Sequence, residues 1–326
     1  MLRAVVVRER VRGAALRDAQ VLAAVGEDVE ADAEVAVVEV TKVFKQNLPQ
    51  LGVGLGYRQA FRSTLWEYRE SIDFLEVIAD HFFDASYDQQ IELDLLKRHF
   101  RLVPHGLALS LGSAEGIDRD YLQRFASLVD CLAPPWCSDH IAFTRANGID
   151  IGHLVPLPKT RATLRVLRDN LKRVQDRIQV PLILENITES LRYPEDEYDD
   201  AEFLAEICDQ NDVGLLLDVT NLYINSVNYR FDPLRVLHRL PPDRIIQLHF
   251  VGGHVENGVW VDCHGQATQG EIWDLLKEVV QYSSVRGVLL ERDENIPPFQ
   301  EIVEELVRAR TILSNHTNLR PRDPAQ

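Results

Sequence analysis

Seven of eight strand-like apolar runs in this 326-residue chain end on acids or imidazoles, which constrains the fold more than any other feature. The runs are DFLEVIADH (Glu76, Asp80, His81), VPHG (His105), WCSDH (Asp139, His140), LILEN (Glu185, Asn186), LLLDVTN (Asp218, Asn221), IIQLHF (His249) and GVLLERD (Glu291). After His249, a stretch that reads as a loop adds His254 and then Asp262 and His264 in VDCHG. Buried strands normally stop in Gly, Ser, Asn or Lys, so ionisable tips imply that many strands converge on one polar mouth. A (β/α)8 barrel has that property, because its chemistry sits at the carboxyl ends of its strands.

Short β-branched runs predict strands near 51–55, 73–78, 101–105, 136–140, 181–185, 213–218, 244–249 and 286–291. Helical periodicity lies between them, for example over 121–132, 160–179, 201–210 and 270–282; Leu164, Leu167, Leu171, Val174 and Ile178 form one stripe. Alternating strand and helix argues for an α/β fold with parallel pairing. A doubly wound open sheet also binds ligands at strand ends, but mainly at one switch point. Polar tips on nearly every strand fit a closed TIM barrel better. Residues 1–50 fall outside the barrel cycle. Valine-rich 2–7 and 34–42 with a helix-like 14–25 suggest either a small packed extension or a poorly ordered leader, and 316–326 reads as a loose tail.

The net charge of −16 disfavours nucleic acid as a partner. No segment is long and apolar enough to span a bilayer, and the first residues lack a secretory h-region, so a cytoplasmic location is expected. The four cysteines show no CxxC spacing. Cys131, Cys137 and Cys208 read as small core residues, while Cys263 stands between Asp262 and His264.

Each strand-end group has an ordinary structural explanation when taken singly. A histidine can be a satisfied core residue, Glu185 or Glu291 a salt-bridge partner, and Asp218 a helix N-cap. Asp262 and His264, two apart on an extended backbone, could reach one ion. Together, three acids with three to five histidines would be costly to bury without cations, and they suit two or three metal ions. Mixed imidazole and carboxylate sets favour iron, manganese or zinc over magnesium. Glu76 reads equally as a buried ion-pair acid or a site residue. GVGLG at 52–56 lacks the spacing of a phosphate-binding loop, and Ser110 and Ser113 lack a GxSxG elbow. The acidic run 194–202 reads as a solvated helix start.

These residues resemble the DUF692 (UPF0276) family, multinuclear non-haem iron-dependent oxidative enzymes that include methanobactin-type peptide-modifying oxidases. The resemblance runs from about 52 to 312 through GVGLGYR, FLEVIADHFF, PHGLALSLGS, SDHIAF, HLVPLP, PLILENIT, GLLLDVTNLY, NSVNYRFDP, QLHFVGGH, VDCHG and LLERDENIPP, in that order. It implies a xylose-isomerase-type barrel carrying two or three irons, as mixed Fe(II)/Fe(III), with dioxygen as cosubstrate. By position the metal ligands would be His105, His140, Glu185, Asp218, His249, Asp262, His264 and Glu291. Asp80, Asn221 and His254 would stand beside them as catalytic candidates, with Asp139 nearby. The implied substrate is a ribosomally made precursor peptide modified at cysteine or another residue, in some cases with a separate leader-recognition protein. The chain departs from the family pattern at Asp80-His81, Asp139, Cys263 and Arg292; the first pair and Arg292 fall where substrate is expected. The runner-up function is a zinc or manganese TIM-barrel hydrolase or sugar isomerase of the endonuclease IV or xylose isomerase type. A non-enzymatic metal-binding scaffold is the third.

Overall fold

The computed structural model describes residues 48–319, with side chains to 315. The segments 2–7, 14–25 and 34–42 read as an extension lie outside the described residues, as does 320–326. The last helix, Phe299–Leu319, runs into the segment expected to be a loose tail.

In chain order the strands are β1 (Gly52–Gly56), β2 (Phe74–Ile78), β3 (Arg101–His105), β4 (Cys137–His140), β5 (Phe143–Ala146), β6 (Ile149–Val155), β7 (Leu182–Glu185), β8 (Gly214–Asp218), β9 (Ile245–Phe250), β10 (Gly252–Glu256), β11 (Val259–Gln266) and β12 (Gly287–Leu290). Eight of them close into a barrel in the order β1-β12-β9-β8-β7-β4-β3-β2, and every barrel pair is parallel. Each predicted strand lies within one residue of an observed one at both ends. The predicted helix over 160–179 is Arg161–Arg177, capped by Thr160, and its buried stripe is Leu164, Leu167, Leu171 and Val174. Between β1 and β2 the described chain forms only short 3-10 turns.

Side chains alternate across the barrel wall, as a pleated strand requires. Leu75, Leu102, Cys137, Leu184, Leu215, Leu217, Val288 and Leu290 face outward into one core shared with the helices. Phe74, Val103, Trp136, Ile183, Leu216, Ile246 and Leu289 face inward and form a separate apolar floor with Leu48 and Leu51. Two residues further along most strands, the inward position is polar. Phe74 is followed by Glu76, Val103 by His105, Ile183 by Glu185, Leu216 by Asp218 and Leu289 by Glu291. The barrel is therefore filled by a dry floor below and an ionisable layer above.

Two details make this layering possible. The inward side of β1 has no side chains: a Cβ on Gly54 would lie 2.5 Å from the Phe74 ring. The glycines of GVGLG thus make room for the floor. In β9, Ile245 pairs with Leu215 but Gln247 pairs with Leu216, leaving Ile246 as an extra residue. That bulge changes the parity of the strand, so Ile246 joins the floor while Gln247 and His249 also meet lumen residues.

Two hairpins rise from the carboxyl ends of β4 and β9. The stretch after His249, expected to be a loop, is the antiparallel pair β10–β11, and β5–β6 forms the other. Both turn through Asn-Gly at positive φ, Asn147-Gly148 and Asn257-Gly258. This two-residue signature was present in the sequence and specifies a tight hairpin. Cys137 and Cys208 are buried as expected, whereas Cys131 is exposed, on the outer face of its helix. Among the described residues no helix is long and apolar enough to cross a membrane.

Candidate metal centre

The ionisable layer resolves into three groups that share corners. His105, His140 and Glu185 form the first; Glu185, Asp218, His249 and Glu291 the second; His264, Glu291 and Asp293 the third. Within each group the ligand-capable atoms all lie within 4.8 Å of one another. Glu185 divides its oxygens between neighbours. Its Oε2 is 3.5 Å from His105 Nε2 and 3.4 Å from His140 Nε2, while Oε1 is 3.5 Å from His249 Nδ1. Glu291 does the same, with Oε2 at 3.0 Å from His249 Nδ1 and Oε1 at 3.8 Å from His264 Nδ1. Two acids thus connect the three groups in the manner expected of bridging carboxylates.

The imidazoles are held by partners that leave one nitrogen toward the lumen. His105 Nδ1 lies 2.8 Å from Ser138 Oγ, so Nε2 faces Glu185. His249 Nε2 lies 3.0 Å from Glu76 Oε1, so Nδ1 faces the acids. Glu76 also accepts from Gln247 Nε2 at 2.6 Å, and Gln247 Oε1 accepts from Trp136 Nε1 at 2.7 Å. Glu76, which the sequence left ambiguous, is therefore the partner that fixes His249 from below. Carboxylate–imidazole pairs of this kind set ring tautomer and orientation in metal sites.

His264 departs from the expected extended geometry. Its φ of 50° turns the ring so that Nε2 lies 2.9 Å from Asp262 Oδ1, while Nδ1 faces Asp293 Oδ2 at 3.3 Å. Asp262 thus braces His264 and lies outside the three groups. Asp80, Asn221 and His254 also lie outside them. Asp80 accepts from Tyr121 Oη at 2.9 Å and from Leu107 N at 3.2 Å, which ties down the segment following His105. Asp139 caps His140 N at 2.7 Å and Leu109 N at 3.2 Å. Asn221 donates to Asn186 O and contacts Thr188 Oγ1. His254 sits on β10 with a buried Nδ1 that lacks a hydrogen-bond partner.

Two ordinary explanations hold alongside the cluster. Asp218 does cap the helix Val219–Tyr229, accepting from Asn221 N at 2.6 Å, and Glu291 does pair with Arg58, at 3.1 Å. Arg292, expected to meet substrate, instead points away from the lumen. It is buried and pairs with Glu305 at 2.9 Å. Two members of the site went unread in the sequence. Asp293 follows Glu291 by two positions in LLERDEN, the spacing that had already singled out Asp262 and His264. Arg58 had no local signal.

A multivalent cation fits these residues. Glu185 Oε2 and His140 Nδ1 are buried without hydrogen-bond partners, an arrangement that is costly unless something else engages them. Burial pushes Asp218 well above the usual carboxylate range, and the neighbouring Glu185 and Asp262 add to this. Burial would lower His249, but Glu76, Glu185 and Glu291 outweigh it and raise it well above the ordinary imidazole value. His264 is raised in the same way, with Glu291 foremost against burial. Burial would raise Glu291, yet His264, His249 and Arg58 hold it well below the carboxylate range. His140 is pushed down to about 4 by burial, so its ring is neutral. Protons on His249 and His264 and a bound cation would meet the same need for positive charge among the buried acids.

Proteins designated UPF0276 match most of the chain. One from Caulobacter vibrioides is 33% identical over 260 residues, covering 79% of this chain and 93% of its own. One from Streptomyces avermitilis is 35% identical over 284 residues, covering 85% and 58%. Among solved structures, 3-keto-D-glucoside 4-epimerase from E. coli aligns with a TM-score of 0.51 at 14% identity, over 80% of this chain and all of the other. D-psicose 3-epimerase from Clostridium cellulolyticum H10 aligns with a TM-score of 0.50 at 14% identity, over 82% and 99%. At that identity the likeness is one of fold, a closed parallel barrel ringed by helices. The family model described as RiPP precursor modification enzyme MbnB/TglH/ChrH matches residues 52–314, nearly the whole described barrel, and the chain therefore belongs to that family.

Proposed function

We propose that the chain is a multinuclear iron-dependent oxidase or oxygenase that modifies cysteine, or another residue, of a ribosomally made peptide with dioxygen as cosubstrate. The observation that carries this reading is the set of three ligand groups joined through Glu185 and Glu291. His105, His140, Glu185, Asp218, His249 and Glu291 would hold the inner metals, and His264 with Asp293 the outer group, braced by Asp262. Iron held there would supply redox chemistry toward dioxygen and a soft-donor-tolerant seat for a substrate thiolate.

The remaining chemistry belongs to the protein. The floor of Phe74, Val103, Trp136 and their neighbours keeps water out from below. Ser138 and Glu76 fix the faces that His105 and His249 present. Asp80, Tyr121 and Asp139 pin the backbone at 107–109 over the first group. We assign Asp80 and Asn221 to positioning, and leave His254, with its unpaired Nδ1, as the candidate closest to a direct polar role.

A sugar isomerase would be expected to set a lysine beside its metals. The buried Lys159 is instead engaged by Glu189 at 2.5 Å and Asp200 at 2.7 Å. The deciding experiment is anaerobic purification with iron reconstitution, followed by incubation with a cysteine-containing precursor peptide encoded beside the gene. More than one iron per chain, oxygen consumption and a mass change on the peptide are expected. A single zinc with no iron uptake would overturn the reading.

Metal loading should also expel protons. His249 and His264 are raised well above the ordinary imidazole value and Asp218 well above the carboxylate range, so each holds its proton to higher pH than a free group does. Ligation needs neutral imidazole and ionised carboxylate, so metal and proton compete. Apparent metal affinity should therefore fall as pH falls, and weakly buffered protein should acidify its solution on metal addition. Uptake without proton release would contradict these charge states.

A further inference from the structure

We propose that Arg58 is a resident cation of the third group and keeps that group from holding a metal ion as tightly as the two inner groups. The inference rests on the multinuclear reading above and concerns how many ions the chain retains.

Arg58 Nη2 lies 3.1 Å from Glu291 Oε1 and also pairs with Asp293 Oδ1. It thereby engages both acids of the third group. Its position is built into the fold: Nη1 donates to Tyr57 O at 3.0 Å, and a Cβ on Gly56 would come within 3.2 Å of it. The Arg58 side chain is only 12% exposed. No Lys or Arg pairs with Glu185 or Asp218 among the described residues, and Glu185 Oε2 has no hydrogen-bond partner.

The contrast between the groups is one of charge. Glu185 and Asp218 pair with no guanidinium or ammonium among the described residues, whereas Asp293 and Glu291, the acid shared by the second and third groups, already face a guanidinium that cannot give up its proton. A metal ion entering the third group must move Arg58 off Glu291 and Asp293 or bind beside a fixed positive charge. Either requirement weakens it, more strongly in a partly buried site than in water. The outer group is also the one open to solvent, with His264 and Asp293 side chains 21% and 30% exposed. Its ion should therefore exchange while the inner ions stay.

The test compares wild type, Arg58→Met, Arg58→Gln and Arg58→Lys. Each is loaded anaerobically with Fe(II), desalted and analysed for metal, and the weakest site is titrated. Wild type and Arg58→Lys should retain the inner ions and lose the outer one. Arg58→Met and Arg58→Gln should retain an additional ion, with affinity for it raised about tenfold or more. Retention of the inner ions in the variants is the internal check that the barrel is intact. Equal retention in wild type and both neutral variants would overturn the role of Arg58 alone. No retained ion in any protein would overturn both this inference and the multinuclear reading.

Discussion

Glu185→Gln should strip the centre of its metal and reduce turnover by about a thousandfold or more, the scale set by losing several kcal/mol of metal-supplied stabilisation. Glu185 belongs to both inner groups and faces three imidazoles through its two oxygens. Its charge is held in place: burial would raise the carboxyl, but His249, His140 and His105 together lower it. Glutamine keeps the volume and removes the charge, and its amide nitrogen cannot ligate as a carboxylate oxygen does. Because the substitution is nearly isosteric, the barrel should remain folded, with an unchanged circular dichroism spectrum. Metal analysis after desalting is the direct measurement. A variant that keeps the wild-type metal content would refute the bridging role, whatever its activity.

Replacing Glu76 should act through His249 and separate two effects. Glu76→Gln retains a hydrogen-bonding side chain but no longer favours a proton on His249 Nε2, which frees the ring to adopt the other tautomer. Metal affinity should fall about 10–100-fold, the usual consequence of losing such a brace. Glu76→Ala removes the partner altogether and leaves His249 Nε2 and Gln247 Nε2 without their carboxylate acceptor in a fully buried lumen. Breaking a buried pair in this way costs about 3–5 kcal/mol. The pH dependence has a definite sign. His249 has a folded value raised above its ordinary 6.5, so the stability its pairing contributes is fully present below 6.5 and lost as pH rises through the raised value. Denaturant unfolding of the metal-free proteins should therefore show the largest gap between wild type and Glu76→Ala on the acid side. A gap that grows with rising pH would mean that Glu76 does not hold a charged imidazole.

Much of this molecule was written locally in the chain. Period-two alternation along the strands carried both the apolar floor and the ionisable layer above it, because residues two apart share a face of a pleated strand. Val103 with His105, Ile183 with Glu185, Leu216 with Asp218 and Leu289 with Glu291 could all be read this way. The hairpin turns were legible too, as Asn147-Gly148 and Asn257-Gly258, since Asn and Gly tolerate the positive φ that a two-residue turn demands.

What tertiary structure alone decided begins with His249. The extra residue Ile246 shifts the parity of β9, and a bulge depends on pairing with β8 rather than on the strand's own composition. The positive φ of His264 set its Nε2 toward Asp262 and its Nδ1 toward Asp293, a division that the two-residue spacing alone did not specify. Arg58 reached Glu291 across 233 positions of chain because barrel closure sets β1 beside β12. Local pattern fixes which face a side chain takes. Which charges then meet depends on ring closure and on where long side chains end, and neither is a property of any short stretch of sequence.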